Sequence, residues 1–204
     1  MQKIKIGEYT GEIPTSWDEV TLHQLIDFWN NKDKGISFVL ESFSGIPAKT
    51  WNAAPVEDVT NDIMPHLKWI GEVPDFANLK CPEYVTIMGK KIKVPKDLDL
   101  KSFGQKIMFE QIVKQNINEA GDLDMVKVIP DALAIYFEPL FAEKDFDDER
   151  IEDFKVLMSR GMSGLEGYAV GSFFLMNYYG LKLSKRKNLI LNLTQNNLQP
   201  ELTS

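Results

Sequence analysis

The sequence predicts an α+β fold, helix-dominated, built as two related modules that each begin with a β-hairpin and continue in helices. Three observations predict it. Two stretches alternate apolar and polar residues around a central Gly, which is the pattern of a hairpin. Each is closed by a Pro and followed by helical spacing. The two also share letters in register. "IPTSWDEVTLHQLIDF" at 13–28 returns without a gap as "VPKDLDLKSFGQKIMF" at 94–109. Pro14, Asp18, Gln24, Ile26 and Phe28 match Pro95, Asp99, Gln105, Ile107 and Phe109, and upstream Ile4 and Ile6 pair with Val85 and Ile87.

The first module, 1–80, opens with "KIKIGEYTGEI", a hairpin ended by Pro14, which has no N–H for a strand ladder. "SWDEVTLHQLIDFW" then turns helical, with Leu22, Leu25, Ile26 and Trp29 on one face. Thr21 stands at the N-cap and Gln24 three residues on, the capping-box spacing. "ISFVLESFSGIP" reads as a helix with Phe38, Val39, Ser42 and Phe43 along one side, stopped by Gly45 and Pro47. "VEDVTNDIMPHLKWIGEV" reads as a further helix, kinked or broken at Pro65. The turn-rich "GEVPDFANLKCP" marks the seam between the modules.

The second module, 81–193, repeats the plan. "YVTIMGKKIKV" is the hairpin, and Ser102 with Gln105 forms the second capping box. Phe103, Ile107, Met108 and Ile112 are expected to share the buried face of the helix that follows. "MVKVIPDALAIYFEPLF" is expected to be helical from about Asp131, with Pro130 in its first turn. "ERIEDFKVLMSR" brings Ile151, Phe154, Val156, Leu157 and Met158 to a helix, and "LEGYAVGSFFLMNYYG" is a buried helix ending at Gly180. "VEDV" at 56–59 and "IEDF" at 151–154 extend the echo, with an insertion in the second copy. Residues 194–204 form a tail with too little apolar surface to offset its ordering entropy, either disordered or docked on a partner.

Composition narrows the function classes. A net charge of −7 disfavours phosphate binding, which needs clustered Lys and Arg. Nucleic acid is expected, if anywhere, only at the basic cluster Lys182, Lys185, Arg186 and Lys187, which more often meets a carboxylate face or stays solvated. No apolar run has the length of a membrane span, and the opening residues lack the apolar core of a secretory signal. One cysteine, Cys81, forms no internal disulfide, so a reducing compartment is the default.

No chemical motif is complete. "DFDDERIED" fails as a calcium loop because its sixth position is Arg150, where Gly is required, and "GDLD" at 121–124 fails because Lys127 falls at the corresponding place. "GMSGL" at 161–165 has Leu165 where a nucleophile elbow has Gly. "GKK" at 89–91 is a hairpin turn without the rest of a phosphate loop. His23 is replaced by Gly104 in the other copy and is expected to be exposed, whereas His66, near Trp69, is expected to be packed. Asp18 and Asp99, the only carboxylates matched across the repeat, are read as turn or cap residues, with ligation the alternative. The sequence thus assigns no catalytic, cofactor or metal residues.

"IPTSWDEVTLHQLIDF", "LESFSGIPAKTW", "VEDVTNDIMPHLKWI" and "GYAVGSFFLMNYYG" together resemble small acidic proteins encoded among the head and tail genes of tailed bacteriophages of gut and related bacteria. The shared pattern is a hairpin, a P-x-x-W-x-E-V-T opening, a helix stopped by "GIP" and a helix closing near "L-K-W-I". It covers most of the first module and is degenerate in the second. The resemblance implies a non-enzymatic virion component, structural or packaged cargo, acting through contacts with other phage head or tail proteins or with its own copies. It places the chain in the virion, or in the host cytoplasm during assembly. A tail assembly chaperone is the alternative within that class, and a small metal-dependent hydrolase or nuclease the alternative outside it.

Overall fold

The computed structural model describes residues 1–96, 98–119 and 121–179. The fold is helix-dominated α+β, with two antiparallel two-stranded sheets. Its described residues divide into two compact units. One holds Met1–Val20 and Asp27–Asn78, the other Thr21–Ile26 with residues from Leu79 onward.

In the first unit β1 (Gln2–Ile6) pairs with β2 (Tyr9–Ile13). In the second, β3 (Tyr84–Ile87) pairs with β4 (Lys90–Lys93). The two ladders have the same register under the sequence offset. Ile6 faces Tyr9 and Ile4 faces Gly11, as Ile87 faces Lys90 and Val85 faces Ile92. Ile4, Ile6 and Ile13 are buried, as are Val85, Ile87 and Val94. Strand alternation puts these residues on one face and leaves the lysines between them exposed.

The turns differ in chemistry. The first has positive φ only at Gly7, its first central residue, whereas the second has positive φ at both Met88 (48°) and Gly89 (79°). The latter conformation favours Asn-Gly, and a Met there is strained. Met88→Asn should therefore raise stability by about 0.5 kcal/mol, read as a shift in the urea midpoint at unchanged slope.

Both capping boxes form. Gln24 N donates to Thr21 Oγ1 at 3.2 Å, and Thr21 N donates to Gln24 Oε1 at 3.0 Å. Gln105 N donates to Ser102 Oγ at 3.0 Å, and Ser102 N donates to Gln105 Oε1 at 3.1 Å. They open α1 (Leu22–Asn31) and α5 (Phe103–Gln115), and each helix buries the matched phenylalanine, Phe28 and Phe109. The letters shared by the two copies thus do the same structural work.

The first unit continues with α2 (Ile36–Ser44), which ends on Gly45 at φ 71°, and α3 (Ala48–Ala53). Half-buried Phe38 yields its expected place on α2 to Leu40, which is buried with Val39, Ser42 and Phe43. The segment after Pro55 is no single helix. One α-turn, α4 (Val56–Asp58), passes into a π-turn over Val59–Ile63 and a 3₁₀ run over Met64–Gly71 with Pro65 in its first turn. Pro65 lacks the N–H that an α-ladder would need there. The π-turn and 3₁₀ run set Ile63 and Leu67 into a core with Ile4, Ile6, Ile13, Leu40, Ile46 and Trp51.

Beside that core lies an aromatic cluster centred on Trp17. Its ring stands edge-on to Phe28, Phe43, Trp69 and Phe76, at centroid separations of 5.0–6.4 Å. Two indoles tie it together: Trp17 Nε1 donates to Trp69 O and Trp69 Nε1 donates to Pro14 O, both at 3.1 Å. Buried indoles need such partners, because an unmet N–H forfeits its hydration.

In the second unit α5, α7 (Ile151–Gly161) and α8 (Gly164–Tyr179) pack against α6 (Met125–Ala142). The start of α1 belongs here too. Thr21 bridges Ser163, and Leu22 N donates to Met162 O at 2.9 Å.

Helix α6 begins six residues earlier than the sequence suggests, at Met125. Asp124 caps it, and Met125, Val128 and Ile129 are buried, which outweighs the ladder bond lost at Pro130. Lys90, from β4, closes its other end, donating to Phe141 O at 2.8 Å beside Glu143. Glu138 is 1% exposed and accepts from Arg150 Nε at 2.5 Å, and Arg150 also donates to Asp145 O. This pair ties the approach to α7 onto α6.

The buried face of α5 differs from expectation. On α5 the buried residues are Gln105, Phe109 and Val113, while Phe103 is 80% and Ile107 47% exposed. Gln105 is drawn inward because its Nε2 donates to Ile135 O at 3.0 Å. On α7, Ile151, Phe154 and Met158 are buried but Val156 and Leu157 are exposed. The echo of "VEDV" in "IEDF" is not structural: Val56 is 78% exposed and lies in a single turn, whereas Ile151 is buried at the head of a helix. The tail 194–204, the basic cluster, the helix end at Gly180 and the module limit at 193 lie outside the described residues.

Candidate functional site

The chemistry-bearing side chains are spread over the surface. Asp18 is exposed in a 3₁₀ turn, Trp17–Glu19, that precedes α1. Asp99 is exposed ahead of α5. Burial, with the Asp99 carboxylate adding to it, pushes the Tyr136 phenol up. His23 is exposed on α1. His66 is exposed as well, not packed, because the 3₁₀ geometry directs Ile63 and Leu67 inward instead. Burial raises the half-buried Cys81 thiol, which is the opposite of thiolate activation. Among the described residues, no three His, Cys, Asp or Glu side chains gather where a metal ion would sit. Ser163 of "GMSGL" bridges Thr21 at the start of α8, and "GKK" begins at the β3–β4 turn.

Glu19 is a strongly perturbed carboxylate. The Met1 ammonium, and the N–H and hydroxyl of Thr15, hold it at about 2, below the ordinary 4.5. A depressed carboxyl favours the folded state above the ordinary carboxylate range, and that contribution fades as pH falls towards 2. Acetylating the Met1 amine should move the Glu19 midpoint up towards the ordinary value, and acid unfolding should begin at a higher pH. A carboxyl NMR titration reads the first effect.

Concave surface exists but is open. A cavity of about 440 Å³ lies between the tip of the first hairpin and α3, lined by Tyr9, Lys49, Ala53 and Pro55 among others. A second, about 580 Å³, runs along the same hairpin over Lys3, Lys5 and Glu12. Neither gathers the convergent polar groups of a small-molecule site. Among the described residues, three buried side-chain polar atoms lack a hydrogen-bond partner: Trp29 Nε1, Glu138 Oε2 and Ser172 Oγ.

The exposed apolar side chains are more informative. On α5, Phe103 and Ile107 lie one turn apart with Lys106 beside them. On α7, Val156 and Leu157 lie one turn beyond Asp153. The equivalent of Phe103 in the first copy, Leu22, is 1% exposed and lies against Gly167, where an added Cβ would come within 3.0 Å of it. The same position of the repeated helix is therefore covered in one copy and bare in the other. Sequence reasoning missed this surface because it assigned Phe103 and Ile107 to the core.

The fold and surface define a helix-dominated α+β protein with two hairpins, each followed by helices. No protein-family model, curated protein sequence or solved structure matches the chain. No helix among the described residues is long and apolar enough to cross a membrane.

Proposed function

We propose that the chain is a non-enzymatic component of a tailed-phage virion, structural or packaged cargo of the head or tail, acting through protein–protein contacts. The observation that supports this most is the work done by the repeated letters. The matched Thr/Ser and Gln residues form capping boxes, and the matched Phe residues fill cores. What the duplication preserves is shape. The two-stranded sheets add short edge strands of the kind that neighbouring chains extend, guarded here by lysines at 3, 5, 91 and 93. The sequence resemblance to phage head and tail proteins supplies the setting, virion or host cytoplasm during assembly.

Quantitative mass spectrometry of purified particles tests the proposal. The chain should be present at a fixed copy number relative to the major capsid or tail protein. Its absence from finished particles, with abundance in infected cells, would overturn this reading and leave an assembly chaperone in its place.

A further inference from the structure

The second hairpin leaves one edge open and basic. Val94 N donates to Glu83 O at 2.9 Å, which makes 83 and 94 a hydrogen-bonded pair. Such pairs alternate along an antiparallel ladder, so Val85–Ile92 and Ile87–Lys90 are bonded pairs too. The N–H and C=O groups of Lys91 and Lys93 therefore point away from β3. Beyond the β3–β4 ladder, no backbone hydrogen bond reaches either residue among the described residues. Val85, Ile87, Ile92 and Val94 are buried, so Tyr84, Thr86, Lys91 and Lys93 form the solvent face of this sheet.

Those four side chains include two ammonium groups and no carboxylate. Lys91 Nζ stands 4.4 Å from the centroid of the Tyr84 ring, a contact that holds the charge over the sheet without neutralising it. Glu83, paired with Val94, alternates to the opposite side. Lys90 alternates to that side as well and is taken up by Glu143 at 2.6 Å. An edge guarded by lysines repels another such edge, and β4 against β4 of a second copy would set lysine beside lysine. An incoming strand with carboxylates at the matching positions meets attraction instead, because opposite charges across a strand pair stabilise it. The first hairpin supplies a comparison. Lys3 and Lys5 also lie on an outer face, but Glu12 stands directly across from Lys3 and would repel an acidic strand.

We propose that the free edge of β4 binds an extended segment of a partner protein that carries carboxylates at alternate positions. The segment adds a third strand, held by backbone bonds to Lys91 and Lys93, with its carboxylates beside the two ammonium groups. The lysines thereby select the partner: they turn away neutral and basic strands and admit acidic ones. The interaction stands whether or not the chain belongs to a virion, and its test is separate from particle composition.

Amide-resolved hydrogen exchange on the full-length protein tests it, with an end-blocked peptide alternating Glu and Val as the probe. Saturating peptide should slow exchange at Lys91 and Lys93 at least tenfold. Ile92, already bonded to Val85, should change little, and Lys3 and Lys5 should respond less than Lys91 and Lys93. A peptide alternating Lys and Val should leave all of these amides unprotected. Lys91→Glu with Lys93→Glu should weaken binding of the Glu-Val peptide at least tenfold and bind the Lys-Val peptide instead. Both positions are exposed, so circular dichroism should stay near that of the wild type. Absence of binding by the Glu-Val peptide at millimolar concentration overturns the proposal. So does binding without protection at Lys91 and Lys93, which would mean a contact of charges with no added strand.

Discussion

Trp17→Ala should remove about 3–5 kcal/mol of stability, the range for deleting a large buried aromatic. Trp17 is 6% exposed and stands edge-on to four other aromatic rings. The substitution takes away that packing, leaves a cavity between Phe28 and Phe76, and frees the Trp69 carbonyl that accepts its indole N–H. Trp17→Phe restores ring contacts but not the hydrogen bond, and should recover more than half of the loss. Urea unfolding followed by far-ultraviolet circular dichroism separates the two variants. Equal midpoints for Trp17→Ala and the wild type would mean that the cluster is not part of the cooperative core.

Arg150→Ala should lower the urea unfolding midpoint at unchanged slope. The reason lies in its partner. Glu138 is almost fully buried, and its second carboxylate oxygen already lacks a hydrogen bond. Without the guanidinium, a carboxylate would remain in the packed side of α6 with nothing to compensate it. The expected loss is below that of a fully buried pair because Arg150 is about a third exposed. Replacing both partners, Glu138→Leu with Arg150→Met, removes the desolvated charge along with its counterion and should recover most of the loss. A double variant no better than Arg150→Ala alone would mean that the contact of Arg150 with Asp145 O carries the stability instead.

Much of the fold was legible because its signals are local. A Gly in the turn, a Pro after the second strand and Thr/Ser-x-x-Gln each act through neighbouring backbone groups, so a reader of the chain can place them without knowing the tertiary structure. What escaped depended on distant partners. Gln105 counts as a surface residue by letter, yet the Ile135 carbonyl, thirty residues away, draws it inside and turns Phe103 outward. Pro130 looks like a helix start, but the buried side chains of Met125, Val128 and Ile129 carry α6 back to the Asp124 cap. The candidate surface was illegible for the same reason. Phe103 reads as a core residue until the packing around α6 is known, since only that packing decides which side of an amphipathic helix is left bare.

The common register of the two hairpins has a practical corollary for engineering chimaeras. From the turn to the capping residue both copies have the same length, Gly7 to Thr21 and Met88 to Ser102, so either hairpin can be grafted onto the other helix without inserting or deleting a residue. The exchange is not symmetrical. Ile92 brought into the place of Gly11 would drive a side chain into the Ser44 carbonyl, 2.9 Å from the first added carbon, whereas glycine brought into the place of Ile92 only hollows a packed face. Grafts that carry the first hairpin into the second position should therefore fold, and the reciprocal grafts should fold only once that isoleucine is trimmed back to glycine.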